Sequence, residues 1–291
     1  DEIEQKLGED AFFFFITNRD TNDYPTKIEI LLDLRANKRS NEIDPYYTFL
    51  YFLKEKNDAR KGNLWDLWRR VEGYYLTLRQ WFNDKDYYHK VGYLIATGES
   101  LKSLIDLSSK IKKTDFEIEL TNKIRDRVKF PIDELRYDVG ESHRQKIEDI
   151  LLLFNVESTR ILKNNTEFYP FHLHKKNLWS LEHIHAQNPE DITQTKKEAW
   201  MAWMSAHRKV IEDMVYNKKN DAHNWRILLE KIDGINYDSL TKEKFDSLAK
   251  EIMLIFSESS DSEWDMHTVG NLALLSHPDN ASLKNAVFEV K

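Results

Sequence analysis

Two short stretches hold residue types that could do chemistry together. LEHIHAQN, Leu181 to Asn188, places Glu182, His183 and His185 in one mixed apolar and polar run. HTVGNLALLSHPDNASLKN, His267 to Asn285, brings Asn271, Asn280 and Asn285 into the last part of the chain. Hydrolysis of a phosphodiester needs a base for water, a cation on the phosphate, and a geometry that holds both. Glu182 offers a hard oxygen ligand suited to Mg²⁺, with Mn²⁺ the alternative, provided backbone twist turns it toward the same site as its neighbour. His183 is the candidate base, since an imidazole near its ordinary pKa of about 6.5 accepts a proton at neutral pH. Asn280 adds a second, neutral oxygen ligand, and so loose a pair leaves room for waters and phosphate oxygens. A Glu-His pair also arises in ordinary strands, with either histidine satisfying a backbone carbonyl.

The elements that must position these residues are mostly helical. Phe12 to Phe15 form an unbroken aromatic run that fits no surface pattern and is expected inside. Lys27 to Arg35 and Tyr46 to Glu55 read as short helices. Asn63 follows a break at Gly62 and is placed to cap the clearest helix of the first half, where Leu67, Trp68, Val71, Tyr75, Leu78 and Phe82 recur at helical intervals. Tyr87 to Thr97 reads as a further helix, with His89 as a surface or capping histidine. Lys102 to Lys129 is locally basic and reads as a solvated face of mixed charge, with a phosphate track as the alternative. His143 to Thr159 is the last helix of a body spanning residues 1–164. No Gly-rich phosphate loop occurs in it.

Composition changes after Asn164, and eight of the ten histidines lie from His172 onward. Phe168 to Leu173 alternates loosely like a strand, a character that LWSLEHIH continues. His174 and Lys175 are expected at an ordinary surface, with contact to a DNA backbone as the other possibility. Lys196 to Val215 reads as a helix carrying Trp200, Trp203, Met204, His207 and Ile211 on one side, with His207 a packed core histidine. Two more helical pieces, Trp225 to Ile232 and Glu243 to Phe256, precede VGNLALLS as a strand. His277 to Asn280 then reads as a turn, and Ala281 to Val290 as a terminal helix. The expected fold class is therefore mainly α (α+β).

The 291 residues are 41% hydrophobic and 32% charged, a water-soluble globular mixture. The absence of cysteine removes disulfides, thiolate ligands and cysteine nucleophiles, and is compatible with a cytoplasmic location. No apolar run approaches a membrane span, so no membrane partner is expected. A formal net charge of −7 does not hold nucleic acid by global attraction, so any such contact must be local. The opening at Asp1 reads as mid-protein, with a preceding partner domain expected.

The two stretches together resemble the halves of an HNH, or ββα-metal, nuclease motif. In that family a strand carries an acidic residue before the base histidine, as in Glu182-His183. A second strand carries an Asn-Leu pair, as in Asn271-Leu272, and an Asn or His follows at the head of a helix, as at Asn280. More narrowly, LEHIHAQN, VGNLALLS and NASLKNAVF resemble the C-terminal DUF1524 nuclease domain of the GmrSD-type modification-dependent restriction enzymes. The resemblance implies a nuclease domain over residues 165–291, with motif halves 178–190 and 266–291 separated by a helical insertion, 196–262. It implies Glu182 and Asn280 as metal ligands, His183 as general base, and Asn271 as the residue that pins the loop holding that base. Asn285 would be a structural or phosphate-proximal amide. His185 is either a second imidazole near the phosphate or a residue of the other strand face. His267 and His277 carry no assigned role.

The chain departs from the family where Glu182 stands in place of a frequent Asp, where Ala186 stands in place of a frequent Pro, and in the long spacing between the halves. The activity implied is endonucleolytic cleavage of foreign or modified DNA, with a DUF262-like nucleotide-hydrolysing domain or subunit as partner. An RNA-cleaving toxin of the same chemistry, and a degenerate nuclease fold that serves only as an interaction or sensor module, are the alternatives.

Overall fold

The computed structural model describes residues 2–39, 41–58, 63–162, 166–176, 179–183, 197–217, 222–258 and 267–276. In chain order the elements are α1 (Glu2–Gly8), α2 (Asp10–Ile16), α3 (Glu29–Ala36), α4 (Tyr47–Asn57), α5 (Leu64–Asn83), α6 (Lys85–Ala96), α7 (Leu101–Ser108) and α8 (Lys113–Arg127). There follow α9 (Glu141–Ile161), α10 (Phe171–Lys176), β1 (Trp179–His183), α11 (Lys197–Asn217), α12 (Ala222–Asp233), α13 (Lys242–Glu258) and β2 (Leu272–Ser276). The protein is mainly helical with one small sheet. Among the described residues no helix is long and apolar enough to cross a membrane.

The chain divides into two compact units, Asp1–Phe130 with Asp149–Leu178, and Pro131–Glu148 with Trp179–Lys291. This differs from a single boundary at residue 164 in two places. Residues 166–176 stay with the first unit because Tyr169 and Phe171 are buried there among the rings of Tyr88 and His89. Residues 131–148 join the second because Arg136 bridges Thr268 and the Tyr137 N–H donates to the His267 carbonyl at 2.9 Å. The division falls inside α9.

The first unit is built on aromatic rings. Phe12, Phe13, Phe14 and Phe15 on α2 are all buried, as their run predicts. Phe15 stacks on Tyr88 at 5.0 Å and Phe12 meets Phe82 at 4.9 Å, the offset and tilted arrangements that ring quadrupoles favour. Asn63 does cap α5. Its side chain accepts from the N–H groups of Trp65 and Asp66 at 2.9 and 3.1 Å, while the Asp66 carboxylate accepts from the Asn63 N–H at 3.2 Å. Such a reciprocal pair satisfies donors that the first turn leaves without helical partners.

Three expectations in this unit are corrected. Phe168 to Leu173 is not strand-like, because α10 begins at Phe171 and its alternation reflects only two aromatic anchors flanking Pro170. His89 is not at the surface but fully buried. Its Nε2 accepts from the Tyr169 N–H at 3.1 Å, which leaves Nδ1 to donate to the Lys85 carbonyl at 2.6 Å. With both nitrogens satisfied the neutral ring is buried at little cost, and burial pushes its pKa down. Lys175 faces inward rather than toward a phosphate. Its ammonium donates to the carbonyls of Phe14 and Thr17 at the end of α2, and burial pushes its pKa down to about 7. His174, beside it, is likewise removed from water and pushed down to about 4.

In the second unit α11, α12 and α13 share their own core of Trp200, Trp203, Met204, Ile211, Trp225, Leu228, Phe245 and Ile252. His207 lies in that core as expected. It is fully buried with Nδ1 2.8 Å from the Trp203 carbonyl, and burial pushes it down to about 4. The three helices occupy the sequence between the two strands, which nevertheless pair antiparallel with Trp179 opposite Ser276, Leu181 opposite Leu274, and His183 opposite Leu272.

Candidate active site

The two-stranded ribbon has a buried face and an open one. Leu272, Leu274 and Ser276 are buried at alternate positions of β2, and Leu181 is buried opposite Leu274. Side chains directly opposite one another share a face, so His183, opposite Leu272, belongs to the buried face at the end of β1. Glu182 pairs with Ala273 on the other face, where its carboxylate lies 3.4 Å from the Ser180 hydroxyl. The neighbours expected to share one site therefore point to opposite sides of a regular strand.

Around His183 the chain gathers two segments, one with Tyr137 and one running from His267 to Leu272. The His183 ring meets the Tyr137 ring edge to face, with centroids 4.9 Å apart at 77°. It meets the His267 ring at 5.7 Å and 83°. Asn271 is fully buried in a 3-10 turn (Val269–Asn271) immediately before Leu272, the cross-strand partner of His183, and its N–H donates to the Thr268 carbonyl at 3.0 Å. The buried Asn271 thus adjoins the cross-strand partner of His183, the residue to which the resemblance gives the role of base.

His267, given no role from sequence, and Tyr137, which the sequence places in another domain, both present their rings to His183. No motif marks Tyr137. A single aromatic residue between Pro131 and Gly140 leaves no periodicity to read. His185, Asn280 and Asn285 lie outside the described residues, as do His277 and the expected terminal helix.

The charged groups beside the site are already engaged. Arg136 donates to Asp138 through Nε at 3.1 Å and Nη2 at 3.3 Å, and that guanidinium holds the Asp138 carboxyl below the usual carboxylate range. Arg144 donates through Nε to the Tyr137 carbonyl at 3.0 Å and lies 4.5 Å from that ring's centroid. Among the described residues no group of three or more His, Asp or Glu side chains gathers.

The turn that carries Tyr137 depends on one glycine. Gly140 has φ 126° and ψ −177°, a region open essentially to glycine alone, and its carbonyl accepts from the N–H groups of His143 and Arg144 at 3.1 Å. Nothing lies within 4 Å of where a Cβ would stand, so a side chain there costs backbone strain only. Gly140→Ala is expected to destabilise the second unit by about 1–3 kcal/mol, read as a lower urea midpoint with unchanged slope.

No family profile, curated protein or solved structure matches the chain.

Proposed function

We propose that the protein is a divalent-metal-dependent endonuclease of the HNH type, acting on foreign or modified DNA as the nuclease part of a restriction system. The observation that carries this reading is the pairing of β1 with β2. It sets His183 opposite Leu272, the residue that follows the buried Asn271, across the α11–α13 insertion. This supports the order of residues in the nuclease motif, although Asn271 itself stands in the turn before β2 and not on the strand.

In this reading His183 takes a proton from water as the water oxygen attacks phosphorus and the bond to the 3′ oxygen breaks. The products are a 5′-phosphate and a 3′-hydroxyl, the departing oxygen taking its proton from solvent. Glu182 and Asn280 would hold the cation, which when bound neutralises charge on the phosphate. The rings of Tyr137 and His267 lie against the imidazole, and Asn271 fixes the turn that leads into β2. A net charge of −7 gives little general hold on a polyanion, so target choice falls to a partner domain or subunit.

One observation favours a second reading, the degenerate fold acting as an interaction module. Glu182 and His183 occupy opposite faces of β1. Incubation of the chain with supercoiled DNA and with folded RNA, in Mg²⁺, Mn²⁺ or a chelator, separates the readings. Relaxed circles in either metal and none with chelator are expected, on modified DNA more than on unmodified. Cleavage of RNA alone moves the assignment to an RNA-cleaving toxin. No cleavage of either, by chain supplied with its partner domain, leaves only the interaction module.

A further inference from the structure

The segment Pro131–Glu148 sits before β1 in sequence and belongs to none of the motif that suggested the site. It nevertheless reaches the candidate base. Tyr137 meets His183 at 4.9 Å, a contact made by the ring and not by the hydroxyl, which has no partner among the described residues. The ring is itself held at several points. Its backbone N–H donates to the His267 carbonyl, its carbonyl accepts from Arg144 Nε at 3.0 Å, and the Arg144 guanidinium lies 4.5 Å from its centroid. Arg136, one residue earlier, bridges Thr268, whose carbonyl receives the Asn271 N–H. One dipeptide thus touches the base histidine and ties down the turn that leads into its partner strand.

A general base acts only when its nitrogen is aimed at the attacking water, and a misplacement of about 1 Å can cost about a hundredfold in rate. His183 stands at the end of β1, and Tyr137 comes to its ring from a separate segment. A rigid ring packed against it in this way restrains the direction in which the imidazole points. An edge-to-face pair is attractive beyond its buried area and favours one ring orientation over its neighbours.

We propose that Tyr137 is a positioning residue for His183, with Arg144 holding Tyr137 in turn, so that Pro131–Glu148 is a working part of the active site. The proposal rests on the nuclease reading for its kinetic consequence, but the contact can be tested without it. In the full chain, isotope labelling of histidine and tyrosine should give a nuclear Overhauser cross-peak between the Tyr137 and His183 rings, the histidine line being assigned by its loss in His183→Ala. Absence of that cross-peak overturns the proposal, whatever any variant does.

Tyr137→Leu should move the His183 ring resonances, while Tyr137→Phe leaves them near the parent positions. On supercoiled DNA, Tyr137→Leu should lower kcat by about tenfold with KM within about twofold, and Tyr137→Phe should recover most of that loss. A Phe variant as impaired as the Leu variant, or a Leu variant with unmoved resonances and full kcat, sinks the idea. Should the parent chain cut nothing, the nuclease reading fails alone, and the cross-peak and resonance shifts still decide whether Tyr137 holds His183.

Discussion

His183→Ala is expected to lower metal-dependent nicking by at least about a hundredfold while leaving the fold intact. A positioned general base contributes about 10²–10⁴ in rate, and among the described residues the only other imidazole beside His183 is His267, with centroids 5.7 Å apart. The loss should appear in kcat with KM little changed, because an imidazole that only accepts a proton in the transition state does not hold the substrate. Stability should fall little. His183 is half-exposed at the end of a five-residue strand, and the buried face of the ribbon is carried by Leu181, Leu272 and Leu274.

Two controls sharpen the result. Glu182→Ala should raise the metal concentration needed for half-maximal nicking before it lowers the limiting rate, as befits a ligand. His267→Ala should leave most of the activity, since its carbonyl, not its ring, receives the Tyr137 N–H. Nicking by His183→Ala at the parent rate would remove the nuclease assignment, and equal loss in His267→Ala would move the base to that residue.

The sequence is legible wherever one element carries its own signal. Phe12 to Phe15 can only be interior, and Asn63 before a helical stripe can only be a cap with Asp66 three residues on. The Trp200 to Ile211 stripe places His207 in a core that also supplies its hydrogen bond. Legibility ends where the deciding partner is distant. Nothing near His89 announces that Tyr169, eighty residues away, offers it an N–H, and without that donor a buried imidazole would be left unsatisfied. Lys175 reads as a surface cation until the carbonyls at the end of α2 turn it inward.

The candidate site shows the same division. His183 and Asn271 are singled out by the motif they resemble. Tyr137 acts through packing alone, and a contact between two rings leaves no mark in either neighbourhood. The motif also implied that Glu182 and His183 act together, whereas strand alternation, a constraint within β1 itself, separates them.

Gly92→Ala is expected to be the most destabilising single methyl group that can be added to the first unit. In an isolated helix the change would stabilise α6 by about 1 kcal/mol, because glycine is the poorer helix former. Here the new Cβ would stand 2.2 Å from Phe171 Cε2, 2.6 Å from Cζ and 2.8 Å from Cδ2, all inside contact distance. The obstructing group cannot swing aside. Phe171 is fully buried, its ring lies 5.4 Å from Tyr88 and 5.0 Å from Tyr169, and the Tyr88 hydroxyl donates to the Tyr169 carbonyl at 2.9 Å.

Either α10 moves off α6, stretching the Lys175 hydrogen bonds to α2, or Phe171 leaves its pocket. Overpacking of this kind costs about 1–3 kcal/mol, and loss of a buried Phe about 3–5 kcal/mol. The clash therefore outweighs the propensity gain, for a net loss of about 2 kcal/mol or more and a melting midpoint lower by roughly 5 °C. A double-mutant cycle isolates the cause. Phe171→Leu alone should destabilise by leaving a cavity, yet in the Gly92→Ala background the smaller side chain makes room for the methyl group. The two changes should then cost less together than the sum of their separate costs, by more than about 1 kcal/mol. Strict additivity would mean that α6 and α10 do not meet at Gly92, and that the aromatic core of the first unit closes some other way.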